Sequence, residues 1–505
     1  MTLTEMTTLN FTPPSSMADA TGAHHASAAI QNLDVVTQAI GALQDALDGH
    51  EPHERVLLKA AAGAGKTFAL KRMVVEALAH ESCTRVGVTA FANKQVIPLA
   101  GQLGDQLGRE RVCLSVSEAW FDKVPDWVRD KATVVISYKD IPESVEVIIG
   151  TTHKLEGSAR YMRDRLGNAH NGERLFDVLF VDEAWQLPNH RYAKVSWLAP
   201  LIVGVGDVGQ LPPLDPSQNP WRGDPGHNPY RAWPEGFGHD PNTWTRELPA
   251  VWRPTAEQLP LWRAFYSDWA SLTCVAGPGD RALEVDGLSG DAKVLWDQVG
   301  TGQPTLLEVD GLPDAEAPDI DQPLLSVLEA YLEDLISAQV TIHGRTYDAH
   351  GVPQQSTTVP ALEQEGDDPV IAVLATRNAA VDDAFAMVER LTERHRLPDG
   401  WIVASTVDSW QGQTNTLTVA VHPLSGASGL DAFNSAFGRL AVTCTRATHG
   451  LLLVSRAGLD ELLDNAPAVP GTPLGEPGTR ELPRQTHRRI LKAFSRGQLS
   501  LEGTV

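Results

Sequence analysis

The chain has 505 residues, and 41 Lys and Arg against 64 Asp and Glu leave a formal charge of −23. With 42% hydrophobic and 21% charged residues it can bury a sizeable core, which excludes disorder as a whole-chain state, and its length suggests about three domains, or two large ones with an insertion. No apolar run approaches the ~20 residues of a membrane span, the four cysteines (Cys83, Cys113, Cys274, Cys444) are too scattered for a disulfide framework or zinc cluster, and the charge excludes a basic coat while leaving room for a basic groove.

Residues 1–27 are rich in Met, Thr, Ser and Ala, without a secretory h-region, and read as a floppy cytosolic tail. Next come short, continuous β-branched runs: Val56-Leu57-Leu58, Val86-Gly87-Val88, Val147-Ile148-Ile149, Val178-Leu179-Phe180-Val181 and Ile202-Val203. Continuous rather than alternating apolar runs mark parallel strands buried on both faces. Helical spacing lies between them, as at Leu70, Met73, Val74, Ala77 and Leu78. A second set follows at Val370-Ile371-Ala372-Val373-Leu374, Ile402-Val403, Leu417-Thr418-Val419-Ala420-Val421 and Leu451-Leu452-Leu453-Val454.

The expected class is therefore α/β, with two parallel-sheet domains in tandem over residues 28–247 and 366–470. Residues 248–365 read as a connecting or inserted subdomain, helical around residues 324–335. Its stretch 305–335 carries nine acidic residues and no Lys or Arg. Residues 471–505 form a C-terminal extension with six Lys or Arg between Arg480 and Arg496, on an expected helix.

The strongest local signal is Ala60-Ala61-Ala62-Gly63-Ala64-Gly65-Lys66-Thr67, after a strand and opening a helix. Small residues let successive N–H groups curl round phosphates, Lys66 supplies a point charge, and the Thr67 hydroxyl can ligate Mg²⁺. In Val178-Leu179-Phe180-Val181-Asp182-Glu183-Ala184-Trp185-Gln186 a strand delivers two carboxylates. Asp182 can hold Mg²⁺ through water, and Glu183 can deprotonate an attacking water. Gly204-Val205-Gly206-Asp207-Val208-Gly209-Gln210-Leu211-Pro212-Pro213 follows another buried strand.

With these segments the sequence resembles superfamily 1 helicases in the DEAxQ branch, up-frameshift-like and RecD-like P-loop ATPases. The resemblance continues in family order: Val88-Thr89-Ala90-Phe91-Ala92-Asn93 resembles motif Ia, and Leu248-Pro249-Ala250-Val251-Trp252-Arg253 resembles motif IV. Thr406-Val407-Asp408-Ser409-Trp410-Gln411-Gly412 resembles motif V, and Leu440-Ala441-Val442-Thr443-Cys444-Thr445-Arg446-Ala447 resembles motif VI.

The resemblance implies two RecA-like domains with an inserted subdomain, ATP and Mg²⁺ in the cleft between them, and 5′-to-3′ movement on a single strand, DNA favoured over RNA. It assigns Lys66, Glu183, Gln210, Arg253 and Arg446 to catalysis, Arg446 as the finger. Gly63, Ala64, Gly65, Lys66, Thr67, Trp252, Gln411 and Gly412 would hold nucleotide, with Trp252 stacking on adenine. Gln38 is the better candidate for the adenine-reading glutamine and Gln31 the second. Thr67 and Asp182 would hold the metal, and Thr89, Asn93, Thr152, Thr406 and Ser409 would touch nucleic acid. Two segments depart from the pattern: Val251 and Pro254 replace the motif IV glutamine and methionine, and Gln413, Thr414 and Asn415 are uncharged where a ribose-binding glutamate is common.

Trp185 and Trp410 read as core tryptophans. A protein partner is expected through 255–365 or the C-terminal basic helix, with no membrane and a cytoplasmic location. The alternative function is an ATP-gated switch that binds nucleic acid or protein without unwinding.

Overall fold

The computed structural model describes residues 9–15, 22–216, 218–221, 224, 226–269, 271–317, 320–364, 366, 368–431, 434, 437–466 and 483–501. The chain divides into two compact units. The first holds Gln31–Val208 and Pro212–Leu248; the second holds Met1–Ile30, Gly209–Leu211 and Pro249–Val505. Within the described residues no helix is long and apolar enough to cross a membrane.

The chain opens on a short strand β1 (Phe11–Thr12) and a long helix α1 (His25–Leu47). The first unit is then built on β2 (Arg55–Ala60), β3 (Val86–Ala90), β4 (Val112–Ser115), β5 (Thr133–Val135), β6 (Val147–Thr151), β7 (Val178–Asp182), β8 (Leu201–Asp207) and β9 (Thr243–Leu248). All pair in parallel, in the order β5-β4-β6-β3-β7-β8-β2-β9. Helices α2 (Lys66–Leu78) and α3 (Asn93–Leu107) follow β2 and β3. Leu57, Ile148, Leu179 and Ile202 share one core with Phe176 and Trp233. The five expected runs of this half are five of these strands. β4, β5 and β9 escaped the sequence because they are short, or half-exposed in the case of β9.

Helix α3 rests on the helix Asp126–Lys131 through Gly104, where an added Cβ would meet the Lys131 carbonyl oxygen at 1.9 Å. Ala is the better helix former, but backbone cannot yield as a side chain does. Gly104→Ala is expected to destabilise the unit by about 2 kcal/mol, read as a lower thermal midpoint; an unchanged or raised midpoint would refute the close approach.

The second unit contains β10 (Ala250–Val251), β11 (Thr273–Cys274), β12 (Ala282–Asp286), β13 (Thr305–Asp310), β14 (Gln339–Tyr347), β15 (Pro353–Pro360), β16 (Ile371–Ala375), β17 (Ile402–Thr406), β18 (Asn415–Val421), β19 (Ala447–Arg456) and β20 (Ser495–Ser500). Its main sheet runs β1-β20-β13-β19-β18-β16-β17, parallel except for the β1 edge. Trp296, Leu307, Leu328, Met387 and Leu452 meet in its core. The expected helix near 324–335 is present as Gln322–Ser337, its Leu324, Leu328, Leu332 and Leu335 buried.

Three expectations are corrected here. Residues 248–365 do not stand apart: β13 lies inside the main sheet, between β19 and β20. The expected tail is ordered at 9–15 and from 22 on. Leu9 is buried, Phe11 and Thr12 pair with Gly497 and Arg496, and His25 Nε2 lies 2.7 Å from Asp280 Oδ2. Within the basic C-terminal stretch only Pro483–Leu491 is helical, and β20 follows. Its arginines are engaged inside their own unit: Arg484 with the Ala466 carbonyl, Arg488 with Asp464, Arg489 with the Ala264 carbonyl and Arg496 with Glu308 and Asp460. Opposite charges separated along the sequence thus meet in space, Glu308 and Arg496 across β13 and β20 and Asp464 and Arg488 at the helix. Arg480 lies outside the described residues, as does the rest of 467–482.

Candidate functional site

The C-terminal edge of the first sheet collects the chemistry. In parallel sheets this edge is where ligands settle, above all where strand order reverses, and β2 here is separated from β3 by β8 and β7. The loop after β2 carries Gly63 at φ +72° and Gly65 at φ +93°, left-handed values that cost a Cβ-bearing residue energy. Ala61, Ala62 and Ala64 are buried beneath it. Helix α2 starts at Lys66 with no side chain capping it, so its first N–H groups and dipole face outward as an anion cradle. Thr67 is exposed on its first turn.

Lys66 Nζ lies 2.8 Å from Glu183 Oε1, with 13% and 14% of the two side chains exposed. Burial pulls the lysine's pKa down, but Glu183, Asp207 and Asp182 outweigh it, and the net direction is up. Asp182 is pushed up to about 7, by burial first and by the charge of Glu183 second, against the opposing pull of Lys66. Glu183 itself sits in left-handed backbone, φ +50° and ψ +45°, a strained conformation of the kind that clusters at functional sites. Register explains the convergence: Asp182 pairs with Val205, and Ala60 with Asp207, so three strand ends face the same loop.

This donor set fits phosphate and a divalent cation. Asp182 is pushed up by burial and by Glu183 despite the pull of Lys66, and a divalent cation held by Asp182 and Thr67 would offset that crowding of negative charge. Among the described residues no group of three or more His, Cys, Asp or Glu could hold an ion alone. Asp207, absent from the expected site residues, is therefore a third carboxylate acting on Lys66; its place at the end of a buried strand was the available signal.

One expected nucleotide contact is not brought to the loop. Gln38 is exposed on α1, whereas Asn32 is buried and donates from Nδ2 to the Ala64 carbonyl at 2.9 Å. Gln31, the second choice, is its neighbour. Farther along the edge, Ala90 and Thr151 pair at the ends of β3 and β6. Asn93 opens α3, partly exposed, beside Phe91, which is 53% exposed. Thr89 and Thr152 are corrections to the expected strand contacts: both are buried, at 0% and 4% exposure. A hydroxyl so enclosed cannot touch a polymer without rearrangement. Phe91 was not among the expected strand contacts, although it stands in the Val88-to-Asn93 segment that supplied two of them. Trp185 is a core residue of this unit.

In the second unit, Arg253 Nη1 donates to the Thr445 carbonyl at 3.0 Å, beside Arg446. Arg446 is 1% exposed, its guanidinium on the Val442 carbonyl at 3.0 Å and Thr445 Oγ1 at 2.8 Å. To act as a finger it must leave these acceptors. Gln411 Nε2 donates to Gln210 Oε1 at 3.2 Å, which joins two expected site residues. Thr406 uses its hydroxyl to accept from Ser409 N–H at 3.1 Å, capping the helix Val407–Trp410, while Ser409 is exposed. Gly412 takes φ +89° just beyond. Trp252 packs one side against Ala28, Ala29, Ala250 and Val275 and stays partly exposed. Trp410 is half-buried, its Nε1 donating to Asn415 Oδ1 at 3.0 Å.

No family model matches the sequence, and no curated protein matches it. Solved structures similar to the chain include the PRRSV helicase, 12% identical at a TM-score of 0.37 over 83% of this chain and 56% of that one. An arterivirus nonstructural protein 10 helicase in complex with DNA is 13% identical at 0.38, over 85% and 65%. The DUF1998 helicase MrfA bound to DNA and AMPPNP is 10% identical at 0.43, over 92% and 55%. The chain spans between about half and two thirds of the length of these structures. Identities and scores this low leave the functional reading to the residues themselves.

Proposed function

We propose that the chain is an ATP-dependent translocase on single-stranded nucleic acid, a superfamily 1 helicase of the DEAxQ branch with two RecA-like units. The observation that carries this is the Lys66–Glu183 pair at 2.8 Å, at the mouth of an uncapped glycine loop and against Asp182. A lysine for phosphate, a carboxylate for the attacking water and a second carboxylate that can hold a cation are what phosphoryl transfer to water requires. Bound Mg²⁺ would neutralise charge on the transferred phosphoryl group.

The chain's own residues do the rest. The loop around Gly63, Ala64 and Gly65 orients the phosphates, with Lys66 turning from Glu183 to them and so freeing the carboxylate to accept the proton of water. Arg253 and Arg446 are proposed to add positive charge during transfer. Asn93, Ser409 and the exposed Phe91 are proposed as strand contacts, Phe91 by stacking on a base. Movement 5′ to 3′ and DNA rather than RNA are the finer parts of this proposal.

Steady-state ATP hydrolysis with single-stranded DNA, single-stranded RNA or neither, repeated across salt, tests it. Stimulation by DNA, weakening as salt rises, is expected; no stimulation by either polymer would sink the translocase. The enclosure of Arg446 favours a second reading, an ATP-gated switch, for which only a protein partner would stimulate hydrolysis.

A further inference from the structure

A line of side chains joins the two parts of the first unit's edge. Ala92 N–H donates to Gln95 Oε1 at 2.9 Å, Gln95 Nε2 to Gln186 Oε1 at 3.3 Å, and Gln186 Nε2 to Glu183 Oε2 at 3.1 Å. The other oxygen of Glu183 is the one held by Lys66. The line therefore starts in the loop between β3 and α3, beside Phe91 and Asn93, and ends on the carboxylate assigned as base.

Its direction is set at one end. An amide can be turned either way, and hydrogen-bond partners decide which. The Ala92 backbone N–H can only donate, so Gln95 must turn its oxygen there and its NH₂ to Gln186. Gln186 then has its oxygen engaged and must present NH₂ to Glu183. A backbone donor two side chains away thus guarantees that the carboxylate meets a donor rather than a second oxygen.

We propose that Gln95 is a positioning residue. Through Gln186 it ties the loop after β3 to the aim of the Glu183 carboxylate, so that displacement of that loop by a bound single strand changes ATP turnover. This rests on Glu183 being the base. Once Lys66 turns to phosphate, the Gln186 amide still holds the carboxylate.

The same contact could be mere helix capping, since Gln95 stands at the third position of α3 and accepts from its N-cap residue. The two roles predict opposite orders. A cap is served as well by Glu as by Gln and is lost with Ala. In the relay, Gln95→Glu is the worst change: an acceptor-only side chain forces Gln186 to turn its NH₂ away and its oxygen onto Glu183, whereas Gln95→Ala leaves Gln186 able to orient itself.

The test compares Gln95→Glu and Gln95→Ala, each alone and combined with Glu183→Gln. Thermal unfolding of the nucleotide-free protein is the first readout. Gln95→Glu should melt ~2 °C or more below Gln95→Ala, and Glu183→Gln should remove that deficit and leave only the cap's preference for Glu, because an amide at 183 can donate to the turned oxygen. Capping contributes equally in both backgrounds and cancels. The second readout is ATP hydrolysis with and without oligo(dT). The kcat of Gln95→Glu should fall ~10-fold below that of Gln95→Ala with KM for ATP within ~3-fold of wild type, and both variants should lose stimulation by the strand. Gln95→Glu equal to or better than Gln95→Ala in both readouts would overturn the relay while leaving the proposed function standing. Absence of wild-type ATP hydrolysis would instead overturn the proposed function and, with it, the coupling to turnover.

Discussion

Glu183→Gln is expected to lower ATP turnover by about 10²–10⁴-fold, the range of a lost general base, while the protein keeps its stability and its affinity for nucleotide. The structure explains the second half. After burial, the charge of Glu183 does most to raise the Asp182 pKa, and Glu183 is also the partner of Lys66. Removing its charge relieves a repulsion as it removes an attraction, and Lys66 still has Asp182 and Asp207 acting on it. The thermal midpoint should stay within ~2 °C of wild type, since opposing electrostatic changes of about 1 kcal/mol nearly cancel. Fluorescent-nucleotide binding beside single-turnover hydrolysis checks both halves. Wild-type turnover in this variant would remove Glu183 from the base's role.

Lys66→Ala is expected to abolish turnover too, yet for two reasons at once, because it also destabilises the fold. Lys66 is the cation on which Glu183, Asp207 and Asp182 all act, and breaking a buried ion pair by removing one partner costs about 3 kcal/mol. The deficit should depend on pH. Burial and the charge of Glu183 push Asp182 up from the ordinary 3.8 to about 7, so the folded state holds this proton more tightly and the group's contribution to stability falls as pH rises through that window. Lys66 limits that fall by favouring the ionised form. Without it the folded-state pKa of Asp182 moves higher still, so the variant's penalty is smaller at pH 6, where Asp182 is largely protonated in both proteins, than at pH 8.5. Denaturant unfolding at the two pH values measures the difference. A penalty independent of pH would mean that Lys66 and Asp182 are not electrostatically linked.

Lys66→Ala and Glu183→Gln thus fail differently, and only Glu183→Gln isolates chemistry from folding. That distinction is invisible in the sequence, where both are residues of a motif. It arises because β7 and β8 bring three carboxylates to one lysine.

Much of the fold was legible because its signal is local. A strand buried on both faces must be continuously apolar, and runs such as Val178-Leu179-Phe180-Val181 and Leu451-Leu452-Leu453-Val454 admit little else. β13 was not legible: Thr305–Asp310 lies among acidic residues, and its Glu308 is acceptable in the sheet because Arg496 of β20 meets it from 188 positions away. The same holds for β1, a two-residue edge that exists only because β20 is there to pair with it.

The sequence by itself determined the α/β class, the glycine loop with Lys66, and the acidic pair Asp182 and Glu183, since each depends on neighbours a few residues apart. Tertiary structure alone decided which side chains face the site. It withdrew Thr89, Thr152 and Arg446 into the interior, left Gln38 in solvent while turning Asn32 onto the loop, and set Gln95 against Gln186. It also decided what the charge of −23 means, because acids at Glu308 and Asp464 pair with the basic segment that follows them. Adjacent residues in a strand or helix point to different faces. A motif can therefore be read to the residue, but its exposure and partners depend on how the whole chain packs.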